Sequence, residues 1–355
     1  MCLFGARKGS LLSANCLKEY IGANPAVQKK HGNNVVISKL SYASISTAEY
    51  EEGDVHDEFY DAIAADTSSS DEEIDDNEDI DQKEARLKLK NTNAAADLNN
   101  QLDTDVTPIQ IDPSNFHGSL NLGKDEKDTN CWSVPSGNGF MIRGKNYLKD
   151  NSKEVGGDPL LKLIAVDWFK VDSSFDKIAL HSRSLVQSDS GKNLPFVLIM
   201  NLQVPAKPNY SLVLYYAADR PVKKDSLLGK FIDGNDTFRD TRFKLIPSIV
   251  QGYWMVKRAV GTKACLLGKA VTCRYFRQDN FLEIDVDIGS SSVARSVIGL
   301  VLGYVTSLVV DLAILIEAKE EEELPEYILG TVRLNRLRLD SAEHLKSEML
   351  IPKEV

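Results

Sequence analysis

The chain has 355 residues, 43% of them apolar and 8% aromatic, which suffices for one ordinary domain with tails or for two small domains. Its formal charge of −10 has a single source, because Glu51 to Asp81 holds 15 Asp and Glu and no Lys or Arg, leaving the remainder mildly basic. A dispersed positive excess beside an acidic tract that repels phosphate excludes nucleic acid as a partner.

In chain order, residues 1–50 hold one apolar piece, "LLSANCLKEYIGANPAV", long enough for a helical turn or two but with no nearby partner. Residues 51–129 are rich in Asp, Glu, Asn and Ser, cannot bury enough apolar surface to offset ordering, and are expected to be a disordered acidic linker. From Asn130 the texture changes to runs of strand length, "GFMIRG", "LIAVDWFKV", "LPFVLIMNLQV", "YSLVLYYAA", "GYWMVKRAV", "LGKAVTCRYF" and "FLEIDVDI", separated by Gly, Pro, Asn and Asp. A chain beginning at Asn130 is therefore expected to fold as well as the full one. The run "SSSVARSVIGLVLGYVTSLVVDLAILIEA" offers Ser290 to Ser292 as caps and predicts a buried helix that passes into a strand near Ala313. A last alternating run, "YILGTVRLNRLRL", closes the sheet and turns Arg333, Arg336 and Arg338 outward. Short connections favour antiparallel neighbours. The expected fold class is α+β: a curved antiparallel sheet packed on one long apolar helix over residues 130–340, with a tail at 341–355.

Several residues carry candidate chemistry. Glu283, Asp285 and Asp287 alternate along one strand face. Three such oxygens could begin a Ca²⁺ or Mg²⁺ site, but loops supply most such ligands, so the expectation is a solvated outer face with no metal. The histidines His31, His56, His117, His181 and His344 are isolated, and no catalytic base or nucleophile stands out. Gly299 and Gly303 have the GxxxG spacing. The apolar stretch from Val297 to Val310 falls short of the roughly 20 residues that span a bilayer, which leaves close helix-to-sheet contact or the wall of a lipid cavity. In "RFKLIPSIVQGYWMVKRAVG", Arg242, Lys244, Lys257 and Arg258 flank Trp254. That combination suits a membrane interface or an anionic headgroup, and equally a core tryptophan beneath a solvated charged face. Five scattered cysteines, Cys2, Cys16, Cys131, Cys265 and Cys273, form no CxxC pair, and no signal peptide precedes them. They predict a reducing cytosolic compartment.

The blocks "NCWSVPSGNGFMIRGKNY", "LIAVDWFKVD", "VLIMNLQVP", "FRDTRFKLIPSIVQGYWMVKRAVG", "ACLLGKAVTC", "YFRQDNFLEIDVDIGSSSVA" and "ELPEYILGTVRL" together resemble the C-terminal domain of the plant enhanced disease resistance 2 proteins, over about Asn130 to Leu339. Longer members carry a pleckstrin homology domain and a START domain ahead of it. Here "CLKEYIGANPAV" looks like the tail of the START domain, so a short or truncated member is expected. The resemblance implies a non-catalytic, membrane-associated lipid-binding regulator of defence and cell death. The alternative is a protein-interaction domain that holds no lipid.

Within the acidic tract, "EFYDA" resembles the core of an FFAT motif, by which lipid transfer proteins dock on VAMP-associated proteins of the endoplasmic reticulum. The match comprises Glu58, Phe59, Tyr60, Asp61 and Ala62 with the acidic flank Glu51, Glu52, Asp54 and Asp57. Ala64 departs from the pattern, which usually has an acid there. An acidic flank speeds encounter and the aromatic pair supplies anchors. The expected location is cytoplasmic and peripheral, on endoplasmic reticulum, endosomal or plasma membrane.

Overall fold

The computed structural model describes residues 101–346, all within one structural unit. The strands, in chain order, are β1 (Asn121–Leu122), β2 (Cys131–Ser133), β3 (Met141–Arg143), β4 (Lys153–Val155), β5 (Lys162–Val171), β6 (Phe196–Val204), β7 (Asn209–Ala218), β8 (Phe243–Gln251), β9 (Cys265–Leu266), β10 (Thr272–Gln278), β11 (Phe281–Asp287), β12 (Val309–Ile316), β13 (Ile328–Asn335) and β14 (Glu343–His344). One six-stranded sheet has the order β10-β11-β6-β7-β5-β14, the other β1-β2-β13-β12-β8-β9, and β3 with β4 forms a separate hairpin.

The two sheets share one core. Side chains alternate across each strand, so Leu212, Leu214 and Tyr216 of β7 join Leu198 and Met200 of β6 and Leu282 and Ile284 of β11 against Phe243 of β8, Ile314 of β12 and Val332 of β13. A Cβ at Gly330 would lie 2.4 Å from the Tyr216 ring, so only glycine permits this approach of β13 to β7. The opposite face of the first sheet, with Val197, Ile199, Val213 and Tyr215, is covered by Ile178, Ala179, Leu185, Val186 and Leu194 from the segment between β5 and β6. Strands covered on both faces need no polar side, which accounts for the unbroken burial of all of β6.

This corrects the expected single antiparallel sheet. The chain leaves after β7 to build β8 and β9 in the second sheet and returns through β10, so β11 lies parallel to β6. β1 with β2 and β5 with β14 are parallel as well. A second sheet, rather than a long helix, covers the apolar face. The helix Ser292–Tyr304 is capped by Ser291, whose Oγ accepts from the Ala294 N–H, and none of its residues is fully buried. It lies at the rim, with Ile298 and Leu302 against the shared core and Leu300 and Val301 against Ile249, Val256 and Leu308. Among the described residues no helix is long and apolar enough to cross a membrane.

The ordered domain also begins earlier than Asn130. Leu102, Ile111 and Leu120 are buried. The Ser119 N–H donates to Asp167 Oδ1 at 2.7 Å, and Ser119 Oγ accepts from the Trp168 N–H at 2.7 Å. Three well-spaced apolar residues suffice here because they land on cores that later strands have built. At the other end Leu345 is buried beside β5, so the expected tail starts docked. The expectations for residues 1–100, including the acidic linker and its aromatic pair, lie outside the described residues.

Candidate functional site

At one end of the second sheet the chain turns from β8 into the helix Trp254–Val260, which corrects the strand expected for "GYWMVKRAV": Val256 and Val260, four residues apart, share the inward face. Gly252 makes that turn with φ 156°, and a Cβ there would meet Leu308 Cδ2 at 2.3 Å. The positive φ favours glycine, and an added Cβ would also push the Leu308 side chain aside. The turn throws Tyr253 and Trp254 outward, leaving them 54% and 67% exposed, with Val250 beside them at 45%. Trp254, Lys257 and Arg258 stand at i, i+3 and i+4 and share the outward helix face. The inward face seats Val256 in a small core with Ile249 and Leu308, and the Tyr253 ring rests 5.0 Å from that of Tyr304. Lys257, Arg258 and Lys263 are exposed, and none of the three has an ion-pair partner among the described residues. Lys257 Nζ donates to the Val250 carbonyl at 3.2 Å, and Arg336 donates to Gln251 Oε1 at 2.6 Å. The result is an exposed aromatic tip with cations on the same helix face.

Of the predicted contact residues, Trp254, Lys257 and Arg258 meet here. Arg242 and Lys244 do not, and their expected surface role is corrected. Both are buried: Lys244 Nζ lies 2.5 Å from Glu326 and 3.9 Å from Glu317, and Arg242 donates to Glu323 at 2.7 Å and to the Glu317 carbonyl at 3.1 Å. Burial lowers the Lys244 pKa, opposed chiefly by the charge of Glu326. These two cations fasten the segment after β12 to β8. Gly299 and Gly303 also depart from expectation. Both face outward with nothing within 4 Å of an added Cβ, so they mediate no close helix-to-sheet contact and line no closed cavity.

Glu283 and Asp285 are buried, not solvated. Their strand face is the outer one, as expected, but the segment between β5 and β6 covers it. Glu283 accepts from the Ile178 and Ala179 N–H groups at 2.7 and 2.9 Å, and Asp285 from Lys177 N–H at 3.1 Å and Asn201 Nδ2 at 2.7 Å. Burial, then the adjacent Asp285 charge, holds the Glu283 carboxyl well above the ordinary carboxylate range. The pair anchors a turn. Among the described residues no three His, Cys, Asp or Glu side chains converge as metal ligands. His181 is buried with Nε2 3.2 Å from the Lys346 carbonyl and Nδ1 accepting from the Arg183 N–H, a fastening for the C-terminal residues. Burial pushes the Cys265 and Cys273 thiols up to about 11 and about 12, which leaves them protonated and poorly nucleophilic at neutral pH.

Tyr253 and Arg336 belong to this surface and were not read as contact residues from sequence, which placed Arg336 only on an outward face. A signal for part of it was present: between Asp240 and Asp279 stand eight Lys and Arg and no Asp or Glu, a basic counterpart to the acidic tract.

No solved structure matches the chain. A curated relative, an Arabidopsis thaliana protein described as ENHANCED DISEASE RESISTANCE 2-like, is 44% identical over 239 residues, 67% of this chain. The chain spans about a third of that relative's length, 33%. The family model for the C-terminal region of Protein ENHANCED DISEASE RESISTANCE 2 matches residues 132–338, which include β3 to β13 and the exposed tip. The chain belongs to the ENHANCED DISEASE RESISTANCE 2 C-terminal family.

Proposed function

We propose that the chain is a non-catalytic regulator linked to defence and cell-death control that works at a membrane surface. The observation that carries the proposal is the exposure of Trp254 and Tyr253 on a face shared with Lys257 and Arg258. An exposed aromatic pair beside free cations suits the boundary between headgroups and acyl chains. The rim helix is half-buried support for this surface. Flotation of the full chain with lipid vesicles tests the proposal. Co-migration that Trp254→Ala weakens supports it, and a chain that stays in solution with every vesicle refutes it in favour of a protein-docking surface.

The acidic tract supplies a second contact in the same proposal. Glu58, Phe59, Tyr60, Asp61 and Ala62 dock on a VAMP-associated receptor of the endoplasmic reticulum, with Phe59 and Tyr60 as anchors. Titrating the receptor domain against the full chain and its Phe59→Ala, Tyr60→Ala double variant tests this part separately. Equal affinity of the two would remove the tether.

A further inference from the structure

We infer that the projecting surface recognises an anionic bilayer by its surface charge, inserting Tyr253 and Trp254 to a shallow depth, and does not read the stereochemistry of any one headgroup. The inference rests on the membrane proposal above and adds its mode of recognition.

Shape is the first argument. Stereospecific headgroup binding needs a concavity with several donors converging on one anion, whereas Trp254, Tyr253 and Val250 project at 67%, 54% and 45% exposure. Two open clefts on the described surface lie elsewhere. One, of about 380 Å³, is lined by residues that include Asp240, Lys269 and Cys273, and the other, of about 370 Å³, by residues that include Gln101, Lys230 and Glu322. Neither contains a residue of the tip.

Charge is the second. Lys257, Arg258 and Lys263 are exposed, without an ion-pair partner among the described residues, and residues 241–278 around them contain no acid. Long cationic side chains at the foot of an apolar projection reach headgroups while the tip enters the boundary. Rigidity is the third. Val256 is buried beneath the tip, and the Tyr304 ring braces Tyr253 at 5.0 Å, so insertion requires no refolding.

The chain has three tryptophans. Trp132 and Trp168 are buried and Trp254 is exposed, so quenching by brominated acyl chains reports on Trp254. The experiment uses the full chain with phosphatidylcholine vesicles, with vesicles containing phosphatidylserine, and with vesicles each containing one of several phosphoinositide isomers at matched surface charge. The expected result is weak binding to the first, similar binding to all the others, and quenching on binding. Lys257→Gln with Arg258→Gln should weaken anionic binding by about 10- to 30-fold and flatten its salt dependence. Trp254→Ala should abolish quenching and weaken binding to all compositions. Tight binding confined to one phosphoinositide isomer, or binding without quenching, would overturn the inference while leaving the membrane proposal standing. Absence of binding to every vesicle would overturn both.

Discussion

Removing residues 101–129 should unfold the domain or come close to it. The deleted stretch buries Leu102, Ile111 and Leu120, each contributing roughly 1.5–3 kcal/mol, hence about 5–9 kcal/mol together as an upper bound. The truncation also strips Asp167, a buried carboxylate, of the Ser119 N–H, and leaves the Trp132 Nε1–H without the Leu120 carbonyl that accepts it at 3.0 Å. Against a total stability of about 5–15 kcal/mol, that is most of the margin. Thermal melts of two chains, beginning at Gln101 and at Asn130, measure the difference. At about 2–4 °C per kcal/mol for a domain of this size, the shorter chain should melt at least 10–20 °C lower or show no cooperative transition. A cooperative melt within about 2 °C of the longer chain would refute the argument, because the three side chains would then contribute nothing.

Gly330→Ala should destabilise by about 1–3 kcal/mol through the clash with the Tyr216 ring, whereas Gly303→Ala, on the open face of the rim helix, should stabilise by up to about 1 kcal/mol; urea titrations of both variants check the contrast. Burial raises the Asp167 carboxyl from 3.8 to about 6. The folded chain therefore holds a proton that the unfolded chain releases, and this group's contribution falls as pH rises between about 4 and 6, by about 3 kcal/mol in all. Urea titrations at both ends of that window should show the decline in the wild type and its loss in Asp167→Asn. Lys244→Met should destabilise by about 1–3 kcal/mol by removing the nearest cation from the buried Glu326, which keeps Arg143 at 3.9 Å while Glu317 keeps Arg143 at 3.3 Å, and should leave vesicle binding unchanged; a variant of normal stability, or one that no longer binds vesicles, would contradict that assignment.

Most strands were legible because their apolar runs are long and cleanly bounded, the run "GYWMVKRAV" being the exception as a helix, and the family followed from seven blocks in order. The pairing of two sheets was not legible. A run such as Phe196 to Val204 announces burial on both faces without saying whether a helix, a sheet or a looping segment provides the cover. The same limit concealed Glu283 and Asp285, since alternation fixes the face a residue occupies and the cover came from backbone N–H groups about a hundred residues away. Arg242, Lys244 and Trp254 show the complementary failure. All sit in one 13-residue stretch, yet the cations are buried by acids from beyond β12 and the tryptophan is pushed out by a glycine turn. Sequence supplied the residue types, and long-range partners decided which of them remain free.

The parallel pairing of β6 with β11 bears on how the chain folds. Val197 and Phe281 are register partners, and the residues between them include β7 and two strands of the other sheet. Neither sheet can be completed before the other has begun, so the domain has a high contact order, and slow folding is expected. During synthesis β6 exposes an apolar edge until β11 has left the ribosome. That interval, rather than the folded state, is when the chain is most exposed to aggregation and most dependent on chaperones.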